Sequence, residues 1–136
     1  MGNELKFRTL EEKDYKTICK WWKWWRWTPI ARESLPNNGM GGFMIMSGNI
    51  NVCAGFLYTT NSNLCIVEWI ISNHKVKNKG IRNSALKMLI NTLSNEAKSL
   101  GFKIAFTYLL NENLKEKFED SGFIKSTKLI EMIKTL

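Results

Sequence analysis

The chain has 136 residues, 44% of them hydrophobic, with only two prolines. A chain of this size buries roughly two thirds of its unfolded surface, so we expect a single domain over residues 1–136 and no second domain. Charged side chains among the first residues exclude a signal peptide, and no later apolar run is long enough to cross a membrane. The net charge of +8 predicts an anionic partner: the phosphates of a cofactor, nucleic acid or an acidic protein surface.

The three cysteines, Cys19, Cys53 and Cys65, are odd in number and have no CxxC spacing. Their neighbours are apolar, which is typical of small core residues in a reducing compartment. The sequence therefore indicates a cytoplasmic protein and gives no sign of a metal site or a disulfide framework.

The first predicted elements are a strand and a helix. Leu5, Phe7 and Thr9 alternate with basic residues, as in a half-buried strand. Thr9 and Glu12 predict a capping box at the start of the helix that follows. The apolar face of this helix recurs at helical spacing and consists of Tyr15, Ile18, Cys19, Trp22 and Trp25.

Five tryptophans lie between positions 21 and 27, interleaved with a lysine and an arginine. Helical spacing predicts that Trp21, Trp22 and Trp25 belong to the core and that Trp24 and Trp27 are partly exposed. Indole rings beside cations can serve as packing, form the wall of a substrate or partner site, or stack on nucleic-acid bases. The candidates for substrate binding are Trp24, Trp25 and Trp27.

Turn-forming residues at positions 32–42 predict a mobile loop. The hydrophobic pattern beyond it predicts, in order, strands at Phe43–Met46, Val52–Tyr58 and Leu64–Ile71, a helix between Gly80 and Gly101, a strand at Lys103–Leu109, a helix at Asn111–Ser121, and a last strand or hairpin at Phe123–Lys134. The strand after the long helix is expected to lie parallel to the strand before that helix. The expected fold class is α/β (α+β), a mixed, mostly antiparallel sheet flanked by helices in the order β-α-β-β-β-α-β-α-β.

The segment between the Leu64–Ile71 strand and the long helix is basic, with Lys75, Lys77 and Lys79 just before Gly80. The first turn of a helix offers unpaired backbone N–H groups and the positive end of its dipole. A basic turn that leads into a helix is therefore suited to binding phosphate. A solvated connection has the same composition, and a single glycine does not distinguish the two.

Two motifs resemble those of the GNAT superfamily of N-acetyltransferases. KNKGIR, at positions 77–82, is similar to the family's [R/Q]xxGx[G/A] loop, and NENLKEKFEDSGF, at positions 111–123, is similar to its NxxAxxLYEKxGF. The matching places of the second motif are Asn111, Leu114, Phe118, Gly122 and Phe123. With the element order, the resemblance covers residues 5–134. The tryptophan-rich segment further resembles small GNAT-like proteins carried by tailed phages.

This resemblance implies the GNAT fold and acetyl-CoA as the cofactor. It implies a pyrophosphate site formed by Lys77, Asn78, Lys79, Gly80, Ile81 and Arg82. It also implies that the pantetheine arm pairs with the splayed end of the fourth strand at Ile70, Ile71 and Ser72, where a backbone N–H near Ile71 polarises the thioester oxygen. The remaining cofactor candidates are Asn111 and Phe118.

An acceptor amine must be neutral to attack, so the reaction needs a base. Glu68 is the only acidic residue within its apolar strand, where desolvation would raise its pKa. The alternatives for Glu68 are an ion pair with a nearby Lys or Arg and a position that faces solvent. His74, in the polar turn, is more typical of a surface residue than of a catalyst.

Two positions depart from the family pattern. Arg82 replaces the second small residue of the loop and can instead bind phosphate with its side chain. Phe118 replaces a tyrosine that often protonates the departing CoA thiolate. Phenylalanine cannot donate a proton, so either Tyr108 or water takes this role, or the site is slow or inactive. Thiolate is a tolerable leaving group at neutral pH.

Three functions are therefore compatible with the sequence. The first is acetyl-CoA-dependent transfer of an acetyl group to a primary amine, on a protein or a small molecule, directly within a ternary complex. The second is an inactive GNAT-like module that binds a protein partner. The third is an acetyltransferase that acts on aminoacyl-tRNA. The sequence leaves open the acceptor and whether the last strand pairs with another subunit in a homodimer.

Overall fold

The computed structural model describes residues 4–110 and 112–136. Over these residues the element order is β1 (Leu5–Thr9), α1 (Asp14–Trp24), β2 (Gly42–Ser47), β3 (Ile50–Tyr58), β4 (Leu64–Ser72), α2 (Lys79–Ser99), β5 (Ile104–Phe106) and α3 (Glu112–Asp120). The strands form one sheet in the order β1-β2-β3-β4-β5, antiparallel except for the parallel β4–β5 pair. This mixed, mostly antiparallel sheet with its flanking helices confirms the predicted fold class.

The final strand or hairpin predicted at Phe123–Lys134 is not formed, because residues 123–136 have neither helix nor strand. A strand is stable only when a neighbour pairs with its backbone, and this segment has no such neighbour in the described part of the chain. Its apolar side chains are largely exposed, namely Ile124, Leu129, Ile130, Met132, Ile133 and Leu136.

The helices α1 and α2 cover opposite faces of the sheet. On the α2 face, Leu89, Ile90 and Leu93 are fully buried together with Ile45 and Val67 from the strands. Burial of each such side chain stabilises the fold by roughly 1.5–3 kcal/mol. The predicted apolar stripe of the long helix therefore fixes α2 on the sheet that carries the candidate site. No helix of residues 4–110 or 112–136 combines the length and apolar character that a membrane crossing requires.

The start of α1 differs from the prediction. The carboxylate of Asp14 is buried, accepts a hydrogen bond from the Glu11 amide at 2.7 Å and pairs with the Arg8 guanidinium at 2.7 and 2.9 Å. Burial opposes ionisation of Asp14, but the bonds from Arg8 and Glu11 outweigh it and lower the pKa of Asp14. The capping box predicted at Thr9 and Glu12 is wrong, because Thr9 lies within β1 and this ion pair occupies the start of the helix.

The segment predicted as a mobile loop is packed against the α1 side of the sheet. Two short 3₁₀ helices, Arg32–Ser34 and Pro36–Gly39, fill it, and Leu35 between them is buried in the core. Asn37 and Asn38 adopt left-handed backbone angles, which asparagine tolerates better than most residues. The abundance of turn formers predicts such turns but not the buried anchor.

Candidate active site

β4 and β5 pair over a short distance and then separate. The parallel ladder joins Leu64–Ile66 to Ile104–Phe106, and just beyond it the Thr107 hydroxyl donates to the Val67 carbonyl at 2.7 Å. From residue 68 to residue 72, this edge of β4 has no ladder partner in the described chain. An open strand edge presents N–H and C=O groups that an extended, amide-bearing ligand can pair with.

A bulge interrupts β4 at the start of this opening. The β3–β4 register shifts there, so that Trp69 and Ile70 together oppose Gly55. Gly55 suits this close contact, because a Cβ at its position would meet Ile70 at 3.0 Å. The bulge redirects β4 where it leaves β5.

Trp69, within the bulge, has a backbone φ of +61°, a conformation that bulky residues rarely adopt. Its indole N–H donates to the Tyr58 hydroxyl at 2.8 Å, and this hydroxyl donates to the Ser34 carbonyl at 2.8 Å. These bonds hold the strained backbone in place. Strained residues of this kind are more frequent at functional sites, so this end of β4 is a candidate for one.

Alternation along β4 decides which backbone groups face the opening. The Asn73 amide donates to the Val52 carbonyl at 2.8 Å, and Ile71, two positions earlier, pairs with Ala54. Alternate residues of an antiparallel strand point their backbone groups to the same side, so Ile71 faces β3 and Ser72 faces the opening. The N–H predicted at Ile71 as a thioester donor is therefore directed into the sheet, and the open edge belongs to its neighbour Ser72.

Glu68 lies beside the opening, on the face of the sheet opposite α2, where it pairs across the strands with Phe56. Burial raises the pKa of Glu68 to about 7, the charge of Glu131 acts in the same direction, and a hydrogen bond from the Tyr108 backbone opposes them. The structure gives Glu68 no salt bridge within the described residues. A carboxyl group with a pKa near neutrality can take a proton from an ammonium group.

Tyr108 and Phe118 are placed very differently. Tyr108, just past β5, is 45% exposed, and its ring contacts that of Phe106. Phe118 is 2% exposed and packs edge-on against Phe123 at 4.9 Å within the α2-side core. Phe118 is therefore a packing residue rather than the cofactor contact predicted for it. The cofactor candidate Asn111 lies outside the described residues.

The first turn of α2 offers fewer free amides than predicted. The Asn78 side chain accepts from the Ile81 amide at 3.0 Å, and the Asn78 carbonyl accepts from the Arg82 amide at 3.1 Å. The amides of Lys79 and Gly80 have no protein partner in the described chain. Positions 77–80 are exposed, so these two amides, the helix dipole and the neighbouring cations are accessible to a phosphate.

The tryptophans divide into buried and exposed groups. Trp21 and Trp22 are buried and Trp24 and Trp27 are exposed, all as predicted. Trp25 is 38% exposed, so its predicted place in the core is wrong. Trp25 caps the end of α1, and its indole reaches the edge of β4 at Ser72 instead of the core.

The exposed tryptophans reach the far end of β4. The Trp25 indole N–H donates to the Ser72 carbonyl at 3.0 Å, and the Trp24 ring stacks on His74 at 4.4 Å with an angle of 6° between the planes. Partial burial, together with the charges of Lys75 and Lys77, lowers the pKa of His74. No sequence signal predicts these contacts, since they join residues that are distant along the chain.

Two open depressions of about 210 and 260 Å³ lie on another part of the surface, where Phe43 and Glu96 line both. None of the predicted site residues lines either depression. The candidate site, at the open edge of β4, is therefore separate from both depressions.

Neither a protein-family model nor a curated protein matches the chain. Solved structures do match. The chain is similar to N-acetylglutamate synthase from Neisseria gonorrhoeae, complexed with coenzyme A and L-arginine (17% identity, TM-score 0.69, 93% of this chain and 29% of that chain). It is also similar to an aminoglycoside acetyltransferase from an uncultured soil metagenomic sample (14% identity, TM-score 0.64, 97% of this chain and 96% of that chain). A third similar structure is a transcriptional regulator from Bacillus halodurans C-125 (12% identity, TM-score 0.70, 96% of this chain and 100% of that chain).

At identities of 12–17%, these similarities concern the fold. The chain spans less than a third of the synthase but nearly all of the other two proteins. The resemblance to phage-carried proteins is not supported by these similarities and stays a prediction. Acetyltransferases and a regulator share this architecture, because a fold does not by itself determine an activity. The chain has the fold of the GNAT acetyltransferases.

Proposed function

We propose that this chain is an acetyl-CoA-dependent N-acetyltransferase that acts on a primary amine as a single domain. The observation that carries the proposal is the arrangement along β4. An open strand edge, a half-buried carboxyl group and the accessible first turn of a helix follow one another over residues 68–80. This order matches what a long ligand with a reactive thioester at one end and phosphates at the other requires.

The cofactor fits the residues present. Its phosphates would bind the amides of Lys79 and Gly80 and the cationic side chains around them, chiefly Lys77 and Arg82. Its arm would pair with the open edge of β4 at Ser72. When bound, acetyl-CoA supplies an acyl group activated as a thioester.

In this proposal Glu68 acts as the base, directly or through a water molecule. The Glu68 carboxylate would take the amine proton as the amine nitrogen bonds to the acyl carbon and the bond from that carbon to sulfur breaks. A thiolate leaving group would need little assistance at neutral pH. The hydroxyl of Tyr108, a residue that is 45% exposed, is our candidate for the later protonation of this thiolate.

The acceptor would bind on the face of the sheet that carries Glu68. Exposed rings lie on both sides of this face. Phe106 and Tyr108 lie at and just past the end of β5, and Trp24, Trp25 and Trp27 lie at and just past the end of α1. The carboxylate and the aromatic rings attract a cationic amine. We therefore propose an amine on a small molecule or an exposed peptide segment as the acceptor.

Calorimetry with coenzyme A, followed by an acetyl-transfer assay over a panel of amines, tests the proposal. We expect micromolar binding that weakens about tenfold in Lys77→Ala, since one charge-assisted bond to phosphate is lost. Lys98→Ala is the matched control, because Lys98 is an exposed lysine in the last turn of α2, at the opposite end of this helix from Lys77. Failure of the folded protein to bind coenzyme A would refute the proposal.

An inactive binding module is the second candidate, favoured by a transcriptional regulator with the same fold. Binding of coenzyme A without transfer to any amine would support this candidate. Retention on immobilised tRNA with a steep salt dependence would instead favour the aminoacyl-tRNA acetyltransferase.

We also propose a cytoplasmic homodimer in which residues 124–136 pair with a second copy. The supporting observation is the row of exposed apolar side chains in this segment and on β5, where Ile104 and Phe106 are 47% and 43% exposed. Light scattering on the full chain and on a chain that ends at Phe123 tests this. We expect a dimer and a monomer, respectively, whereas a monomeric full chain would contradict the proposal.

A further inference from the structure

One contact of the tryptophan segment bears on how a cofactor would reach β4, and the inference drawn from it rests on the proposed function. The Trp25 indole N–H donates to the Ser72 carbonyl at 3.0 Å. Because Ser72 faces away from β3, this bond lies on the open edge of β4. The indole therefore occupies the edge that an extended ligand would use.

Ser72 is the last residue of β4 before the chain turns toward α2. The turn is fixed by the Asn73 side chain, which donates to the Asn51 carbonyl at 2.8 Å and accepts from the Lys75 amide at 3.0 Å. An extended ligand that joins the neighbourhood of Glu68 to the first turn of α2 must pass Ser72. It meets the Trp25 ring there.

The Trp25 side chain can leave without unfolding its segment. Its own amide donates to the Trp21 carbonyl at 3.1 Å, and the Trp27 amide donates to the Trp22 carbonyl at 2.8 Å, so the backbone is held independently of the indole. The ring is 38% exposed, which leaves room for another rotamer. Release of the indole therefore requires rotation of one side chain and loss of its edge-to-face contact with Trp24, whose ring centroid is 4.8 Å away.

We propose that Trp25 is a specificity-determining residue of the cofactor site, whose indole N–H holds the Ser72 carbonyl in the free protein and is replaced there by an amide N–H of the cofactor's arm. A ligand with an amide at this point exchanges one hydrogen bond for another. A ligand without one leaves the carbonyl unpaired when it displaces the ring, which is unfavourable. The site thus selects an amide-bearing arm over a plain alkyl thioester.

Indole resonances in a ¹⁵N–¹H spectrum test the exchange directly. The chain has six tryptophans, and Trp25→Phe removes one signal and so assigns it. We expect coenzyme A to shift the Trp25 indole signal to the position of a free indole. Adenosine diphosphate, which carries the diphosphate but no arm, should leave it in place.

Affinity provides the second measurement. Trp25→Phe removes the competing donor, so coenzyme A should bind about 2- to 10-fold more tightly, as expected for one neutral hydrogen bond. The affinity for adenosine diphosphate should not change. Phe7→Leu is the control, since Phe7 is an exposed aromatic residue of β1, at the edge of the sheet opposite to β5. It should leave the affinity for coenzyme A unchanged.

Two results would overturn this inference while leaving the proposed function intact. One is an unshifted Trp25 signal at saturating coenzyme A, and the other is weaker binding of coenzyme A by folded Trp25→Phe. If wild-type protein binds no coenzyme A at all, both the proposed function and this inference are refuted. Trp25→Leu, which also lacks the donor, replaces the phenylalanine variant if that variant does not fold.

Discussion

Glu68 owes its chemistry to its surroundings. On a solvated strand its carboxyl group would be ionised at neutral pH, whereas burial in the aromatic face of the sheet raises its pKa to about 7. Near neutral pH the protonated and ionised forms therefore coexist. Only the ionised form can accept a proton, so the activity we propose depends on pH in this range.

The first prediction concerns this dependence. Glu68→Gln keeps the shape of the side chain but cannot accept a proton, so kcat for acetyl transfer should fall by about 10²- to 10⁴-fold. In the wild type, kcat should rise as pH increases through about 7, and the variant should lose this rise. Steady-state kinetics from about pH 5 to about pH 9 measure both effects.

Glu119→Gln is the control, because Glu119 is an exposed acid on α3. It should leave kcat and its pH profile unchanged. A Glu68→Gln variant that retains the wild-type profile would show that another group titrates, and Glu68 would then have only a structural role.

A second prediction concerns stability. Burial raises the pKa of Glu68 to about 7 in the folded protein, whereas its ordinary value, expected in the unfolded chain, is 4.5. The folded state therefore binds this proton more tightly than the unfolded state does. The contribution of this proton to the free energy of unfolding is therefore complete below about pH 4.5 and is lost as pH rises through about 7. The free energy of unfolding should decrease over this range relative to Glu68→Gln.

Urea unfolding of both proteins at several pH values measures the difference. The comparison isolates Glu68 because the lowered pKa of Asp14 acts with the opposite sign and is common to both proteins. A constant difference between the two proteins over this range would contradict the prediction.

Among the elements, those defined by local pattern could be predicted from the sequence and those defined by distant contacts could not. β1 to β5 and α2 follow from periodicity, and the parallel β5 follows from its short connection to α2. The bulge at Trp69 depends on Tyr58 and Ser34, and the position of Trp25 depends on Ser72. Periodicity contains no information about such partners, so the exposed edge of β4 was located only approximately and Trp25 was placed in the core.

The end of α1 supplies a third prediction. The Arg26 amide donates to the Lys23 carbonyl at 3.0 Å and the Trp27 amide to the Trp22 carbonyl at 2.8 Å, the two bonds of a Schellman motif. Arg26 has a φ of +66°, where glycine is usual. Arg26→Gly should relieve the backbone strain but also raise the conformational entropy of the unfolded chain, which opposes the gain. The net result should be a stabilisation of about 0.5 kcal/mol.

Urea unfolding tests this prediction, with Lys23→Gly as the control. Lys23 lies within the last turn of α1, so the same replacement there should cost up to about 1 kcal/mol. Destabilisation by Arg26→Gly would mean that the Arg26 side chain contributes more than its backbone strain costs.

On the scale of the whole molecule, charge and sheet geometry converge on one region. The sequence has no acidic residue between Glu68 and Glu96, whereas five basic residues lie there, namely Lys75, Lys77, Lys79, Arg82 and Lys87. The open edge of β4 leads into this basic segment. The sequence predicted the anionic partner from charge alone, and the fold adds the direction from which it would approach.

The last prediction follows from this arrangement. Raising the salt concentration from 0.1 M to 1 M shortens the screening length from about 10 Å to about 3 Å, so charges that are not in direct contact cease to attract the ligand. Coenzyme A, with its phosphates at the first turn of α2, should bind roughly tenfold more weakly at the higher concentration. Pantetheine, which has the arm but no phosphate, should show little change. If coenzyme A bound with the same affinity at both concentrations, its phosphates would not lie at the basic segment, and the orientation of the cofactor along β4 would have to be abandoned.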